Sequence, residues 1–159
     1  MTLKEQGFFS NYLDRLENLN KHLSQEIQGL PQTALDWSPG PETNSLAVLL
    51  AHIAGSLRYW IGDVALEQPS GRVREQEFQT RGLGAEALQR RLDEVVVYAR
   101  LNLPRLSLAD LDQKRQPGRG EEMVTCGWAL LHALEHGYLH LGHVELTRQL
   151  WENQVSSRR

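Results

Sequence analysis

Four of the six histidines in the chain, His132, His136, His140 and His143, fall within one twelve-residue stretch. At about 100° per residue, spacings of four, four and three put them within about 80° of one another on a helix. Neutral imidazole is the commonest nitrogen ligand of divalent metals. His136 and His140, one helical turn apart, can reach the same ion. Zinc proteases use that spacing in their H-E-x-x-H helix. Here Gly137, Tyr138 and Leu139 stand between the pair, so the protease base is absent and that reaction is excluded.

Two ligands on one helix need a third from another segment. His52 and His22 are the histidines outside the cluster. His22 sits among Asn20, Lys21 and Ser24, which marks it as solvent-facing, so His52 is the candidate. Three protein ligands leave open positions for water or substrate. Such an ion can lower the pKa of water, polarise a carbonyl or keep a thiolate ionised. The competing reading is a set of hydrogen-bonded core histidines, and spacing alone does not separate the two. His132 is a candidate to orient a ligand or carry a proton. Glu135, on the shoulder of the same face, either braces an imidazole N–H or makes a surface ion pair. Cys126 has no base placed to activate it. Tyr138 lies more than about 100° off the histidine arc and is structural.

The elements that must hold these residues read as four helices. The first, about Leu3 to Gly29, carries an apolar stripe of Phe9, Tyr12, Leu16, Leu19, Leu23 and Ile27. Gly29 and Pro31 stop it, and Pro31 to Thr43 is a loop into which Trp37 is expected to fold as a plug. The second helix starts at Asn44-Ser45, either of which can cap it, and runs to about Leu66. It bears two apolar stripes, His52 with Val48, Tyr59 and Leu66, and nearly opposite it Leu46, Leu50, Leu57 and Ile61. Residues Glu67 to Gly84 are irregular. The third helix spans about Ala85 to Leu103, and Ser107 to Glu122 is a polar connection. The fourth runs from about Met123 to Trp151. No segment passes the alternation test for a strand. The pattern predicts an all-α four-helix bundle with long connections, one domain over residues 1–154 and a frayed tail over 155–159.

On the fourth helix Trp128, Leu139, Leu146 and Leu150 fall on or beside the histidine arc, which predicts that this arc faces the apolar interior. Leu130, Leu134 and Leu141 line the opposite face. One bundle cannot bury both faces of both helices, so a second copy across a two-fold axis is expected; the alternative is that the long loops, with Trp37 and Phe78, cover these leucines.

The 159 residues suit a single domain. A net charge of −3, with no basic run, argues against a nucleic-acid partner. No run of about 20 apolar residues is present, so no membrane span is expected. The start, Met1-Thr2-Leu3-Lys4-Glu5-Gln6, lacks the features of a secretory signal. With one cysteine and hence no internal disulfide, the expected location is cytoplasmic.

Two segments carry a family resemblance. Leu49-Leu50-Ala51-His52-Ile53-Ala54, behind the Asn44-Ser45 start, and Leu131 through His140 resemble the corresponding helices of the DinB-like four-helix bundle superfamily. The element order matches over nearly the whole chain, the specific match only in these two helices. The resemblance implies that His52, His136 and His140 hold a divalent metal, zinc or nickel first, iron or manganese as alternatives. It also implies a homodimer. Relatives with known activities are thiol-dependent transferases and isomerases using low-molecular-weight thiols, and others are described as metal-dependent hydrolases. The implied function is thus a metal-dependent transferase or hydrolase acting on a small molecule. The alternative is a non-catalytic, metal-binding or structural bundle in a stress response. The family often continues past the last ligand with Arg-Gly-Gln, whereas this chain has Leu141-Gly142-His143. The roles of the Arg and Gln are therefore not carried over, and His143 is expected as a donor to a ligand or as a further ligand.

Overall fold

The structure, a computed structural model, describes residues 3–118 and 121–157. Its helices are α1 (Leu3–Ile27), α2 (Gln32–Leu35), α3 (Leu46–Arg58), α4 (Arg74–Glu77), α5 (Ala85–Asn102) and α6 (Cys126–Ser156). The four long ones, α1, α3, α5 and α6, pack against one another as an all-α bundle. No helix among the described residues is long and apolar enough to cross a membrane.

The α1 stripe lies in the core as its periodicity requires, with Phe9, Tyr12, Leu16, Leu19, Leu23 and Ile27 all buried. Each such side chain contributes about 1.5–3 kcal/mol on burial. Gly29 takes a positive φ of 73° just past the helix end, a conformation that costs glycine little. In the following loop Ala34 and Leu35 of α2 are the buried plug. Trp37 is only half-buried.

Ser45 caps α3 by accepting from the Val48 amide at 3.3 Å. Leu46 through Ala54 are buried without interruption, because α3 touches α5 and α6 on different sides. The Leu46, Leu50, Leu57 and Ile61 stripe is thereby buried within one chain, and of the other stripe Val48 and His52 are buried while Tyr59 and Leu66 are partly exposed. At Tyr59 the rod changes to a π-helix over Tyr59–Ala65. The Leu66 amide, for example, donates to the Ile61 carbonyl at 3.1 Å. The wider turn, which opens with Tyr59 and Trp60, breaks the α-helical register expected to continue to Leu66.

The last helix differs from expectation in three ways. It begins at Cys126, capped by Thr125, because the residues before it form a strand. β2 (Val124–Thr125) pairs antiparallel with β1 (Lys114–Arg115), a two-residue ribbon too short to show alternation. The helix also runs through Val155 to Ser156, beyond the expected start of fraying; Arg158 and Arg159 lie outside the described residues. Third, its buried face is Ala129, Leu130, Ala133, Gly137, Leu141 and Val144. Leu130 and Leu141, expected on the outer face, lie in the core, and Leu134 packs against it. Trp128 (46% exposed), Leu139 (59%) and Leu146 (54%), expected inside, face outward. The histidine arc borders the core and does not point into it.

Candidate metal centre

His52 projects from the middle of α3 and is buried. His136 and His140 project from α6 and are partly buried. One ligand atom from each of the three lies within 4.8 Å of the others. The ring centroids form a near-regular triangle, with sides of 5.1 Å from His52 to His136, 5.0 Å from His52 to His140 and 4.4 Å between the α6 pair. The Nε2 atoms of His136 and His140 stand 3.2 Å apart. Nitrogens sharing a tetrahedral ion at about 2.1 Å are about 3.4 Å from one another. The α6 pair is already at that spacing.

The donor chemistry fits a cation. Burial, and then the positive charge that a neighbouring imidazolium would bring, push His136 and His140 down to about 4. Both rings are therefore neutral near pH 7, with lone pairs free to bind. His52 Nδ1 lies 2.8 Å from Glu77 Oε2. Burial pushes the Glu77 carboxyl up, but hydrogen bonds and charge from Arg72 and His52 outweigh it and hold it below its ordinary range. An ionised carboxylate can only accept, so His52 donates Nδ1–H and its Nε2 carries the lone pair.

Glu77 and Arg72 were not legible in the sequence. They sit in the segment read as irregular, where one turn of helix, α4, brings the carboxylate up to α3. Arg72 grips it with two hydrogen bonds, Nε to Oε1 at 2.6 Å and Nη2 to Oε2 at 2.8 Å.

The other candidates separate clearly. His143 is exposed, and its Nδ1 lies 3.1 Å from His140 Nδ1, so it contacts a member of the triad from outside. His132 does not join the triad; it stacks on Trp128 at 4.7 Å with the rings 8° apart, and Trp60 meets it edge-on at 4.6 Å. Glu135 has a side chain 82% exposed and stands 3.9 Å from His132 Nδ1; the carboxylate that holds a triad imidazole is Glu77. Cys126 is buried, its thiol against the Ala65 carbonyl, and burial pushes its pKa up. Tyr138 donates to the Arg15 carbonyl at 3.1 Å, a structural tie. His22 is exposed.

A cavity of about 440 Å³ opens beside the triad, with His52, His136, His132, Tyr59 and Trp60 in its walls and Arg74 among its polar lining. The π-helical turn supplies Tyr59 and Trp60, whose rings pack edge to face at 5.2 Å. Tyr59 also donates to the Pro117 carbonyl, joining this wall to the polar connection before α6.

Comparison with known proteins agrees with this architecture. A sequence profile described as the DinB superfamily matches residues 15–144. Three solved structures share the fold. A conserved protein from Enterococcus faecalis has a TM-score of 0.72 at 16% identity, covering 94% of this chain and 97% of that one. A DinB-like protein from Bacillus cereus has a TM-score of 0.72 at 12% identity, covering 88% and 90%. A DinB-like protein from Bacillus subtilis has a TM-score of 0.63 at 20% identity, covering 89% and 88%. No curated protein gives a significant match.

Proposed function

The chain belongs to the DinB superfamily, and from that premise we propose that it is a metal-dependent enzyme acting on a small molecule. His52, His136 and His140 would hold one divalent cation. The carrying observation is the convergence of three imidazoles from two helices within 4.8 Å, at the wall of a cavity large enough for a small organic ligand. With three nitrogen ligands the ion keeps open positions. It would supply Lewis acidity, usable on a carbonyl, a water or a thiol. Zinc and nickel suit an all-imidazole set, and iron and manganese are accommodated by it as well.

The chain's own residues define the rest of the site. Tyr59, Trp60 and His132 make one wall of the cavity aromatic, a surface suited to an apolar part of a small ligand. His132 lines the cavity without joining the triad, where it can accept or donate a proton. We propose a thiol-dependent transferase or a hydrolase as the reaction class, with a low-molecular-weight thiol as the co-substrate in the first case, working in the cytoplasm.

The experiment is elemental analysis of protein purified without a nickel column, followed by activity screens. The wild type should carry close to one equivalent of a divalent metal, and His136→Ala should carry almost none. Wild type and His136→Ala are then screened with small thiols plus electrophiles, and with small esters and amides. Turnover lost in the variant supports the enzyme. Metal without turnover on any substrate leaves a non-catalytic metal-binding bundle, and metal absent from the wild type removes the proposal.

A further inference from the structure

Resting on the metal reading above, we propose that Arg72, Glu77 and Gly55 form a positioning device for the ligand His52. Arg72 fixes the Glu77 carboxylate, the carboxylate fixes the imidazole, and the bare backbone at Gly55 gives the carboxylate its place. The device would set the tautomer and aim of His52 before any cation arrives.

Three observations carry it. Glu77 is 8% exposed, and a carboxylate is costly to bury without partners. Among the described residues its two oxygens bond to the Arg72 fork and to His52 Nδ1. Gly55 lies three residues beyond His52 on α3, on the same side of the helix. A Cβ there would fall onto Glu77 Oε1 and crowd Arg72 Nε at 3.3 Å. The helix thus lacks a side chain at the place where the carboxylate must pass to reach His52.

The chemistry follows from the pairing. A carboxylate that takes the Nδ1–H makes the opposite nitrogen a better donor and stops the ring from flipping. Arg72 cancels the charge of Glu77 through a planar two-bond fork, which a lysine cannot reproduce. His52 therefore gains orientation without adding net negative charge beside the cation, so the ion would keep its Lewis acidity. A purely structural ion pair within this connection would need the Arg72–Glu77 bonds but not the contact with His52.

The test compares wild type, Glu77→Gln and Gly55→Ala by two measurements. Zinc and nickel affinities are taken by competition with a chromophoric chelator. The His52 tautomer is read from the ring nitrogen shifts of metal-free protein by NMR. The wild type should show a single Nδ1–H form. Both variants should bind metal roughly 10–100-fold more weakly and show His52 in mixed tautomers, with the far-UV circular dichroism of the wild type. Gly55→Ala keeps every polar group and improves helix propensity, so it carries the test if Glu77→Gln fails to fold. Variants that bind within twofold of a metal-binding wild type overturn the device and leave the metal site standing. A wild type that binds no metal overturns both.

Discussion

At the scale of single residues, the site is decided by which imidazole nitrogens are free at neutral pH. His136 and His140 are held down to about 4, by burial first and by neighbouring imidazoles second, against about 6.5 in an unfolded chain. The unfolded state therefore takes up protons first as pH falls, and between those values it binds more of them than the folded state. Their contribution to stability is complete above about pH 6.5 and drains away as pH falls toward 4. In chelator-treated protein the melting temperature should drop steadily over that window, and a His136→Asn, His140→Asn double variant should flatten this part of the profile. An unchanged wild-type melting temperature from pH 6.5 to 4.5 would show that the pair is not buried as described. Cation and proton compete for the same lone pairs, so metal binding should fade over the same range.

Helices set how much of this was readable in advance. The spacing of His136 and His140 is a property of one helix, so it was legible; His52 was a candidate only by elimination until the resemblance assigned it, since no local pattern joins two helices. The rotation of α6 was misread for a physical reason. Its core face is built on Ala129, Ala133 and Gly137, small residues that let helices approach closely, while large side chains such as Leu139 and Leu146 stand outside. A wheel weighted by big apolar residues points the wrong way on such a helix. Glu77 was hidden because its role exists only once α4 meets α3. Gly137 tests the close approach directly. A Cβ there would lie 2.5 Å from Leu19 Cδ2 and 3.6 Å from Leu57 Cδ2, with Leu19 wholly buried. Gly137→Val should therefore destabilise the protein by about 1–3 kcal/mol through overpacking, despite removing a helix glycine. Urea denaturation would measure it. Because the substitution sits between two ligands and presses on both α1 and α3, metal affinity should fall with stability; a variant as stable as wild type would mean that α6 has slack against α1.

For the whole molecule the question is what covers the outer side of α6. Trp128, Leu131, Leu139, Leu146 and Leu150 are all exposed, and the helical repeat places them along one side over roughly 33 Å. Monomers seldom leave so long an apolar stripe in water. A dimer of this chain would need an interface other than the expected one: Leu130 and Leu141 are spent in the core, and the exposed apolar side chains of α6 lie beside the histidines. A two-fold contact would lay the stripe against its own counterpart. Light scattering coupled to size exclusion should then give about twice the 18.1 kDa of one chain. Leu139→Glu with Leu146→Glu should yield monomers, because both carboxylates would be buried without partners in the dimer and solvated in the single chain. Both positions are more than half exposed, so the folded monomer should keep its helical content. A wild type of single-chain mass at micromolar concentration would reject the dimer and leave the stripe free for some other partner.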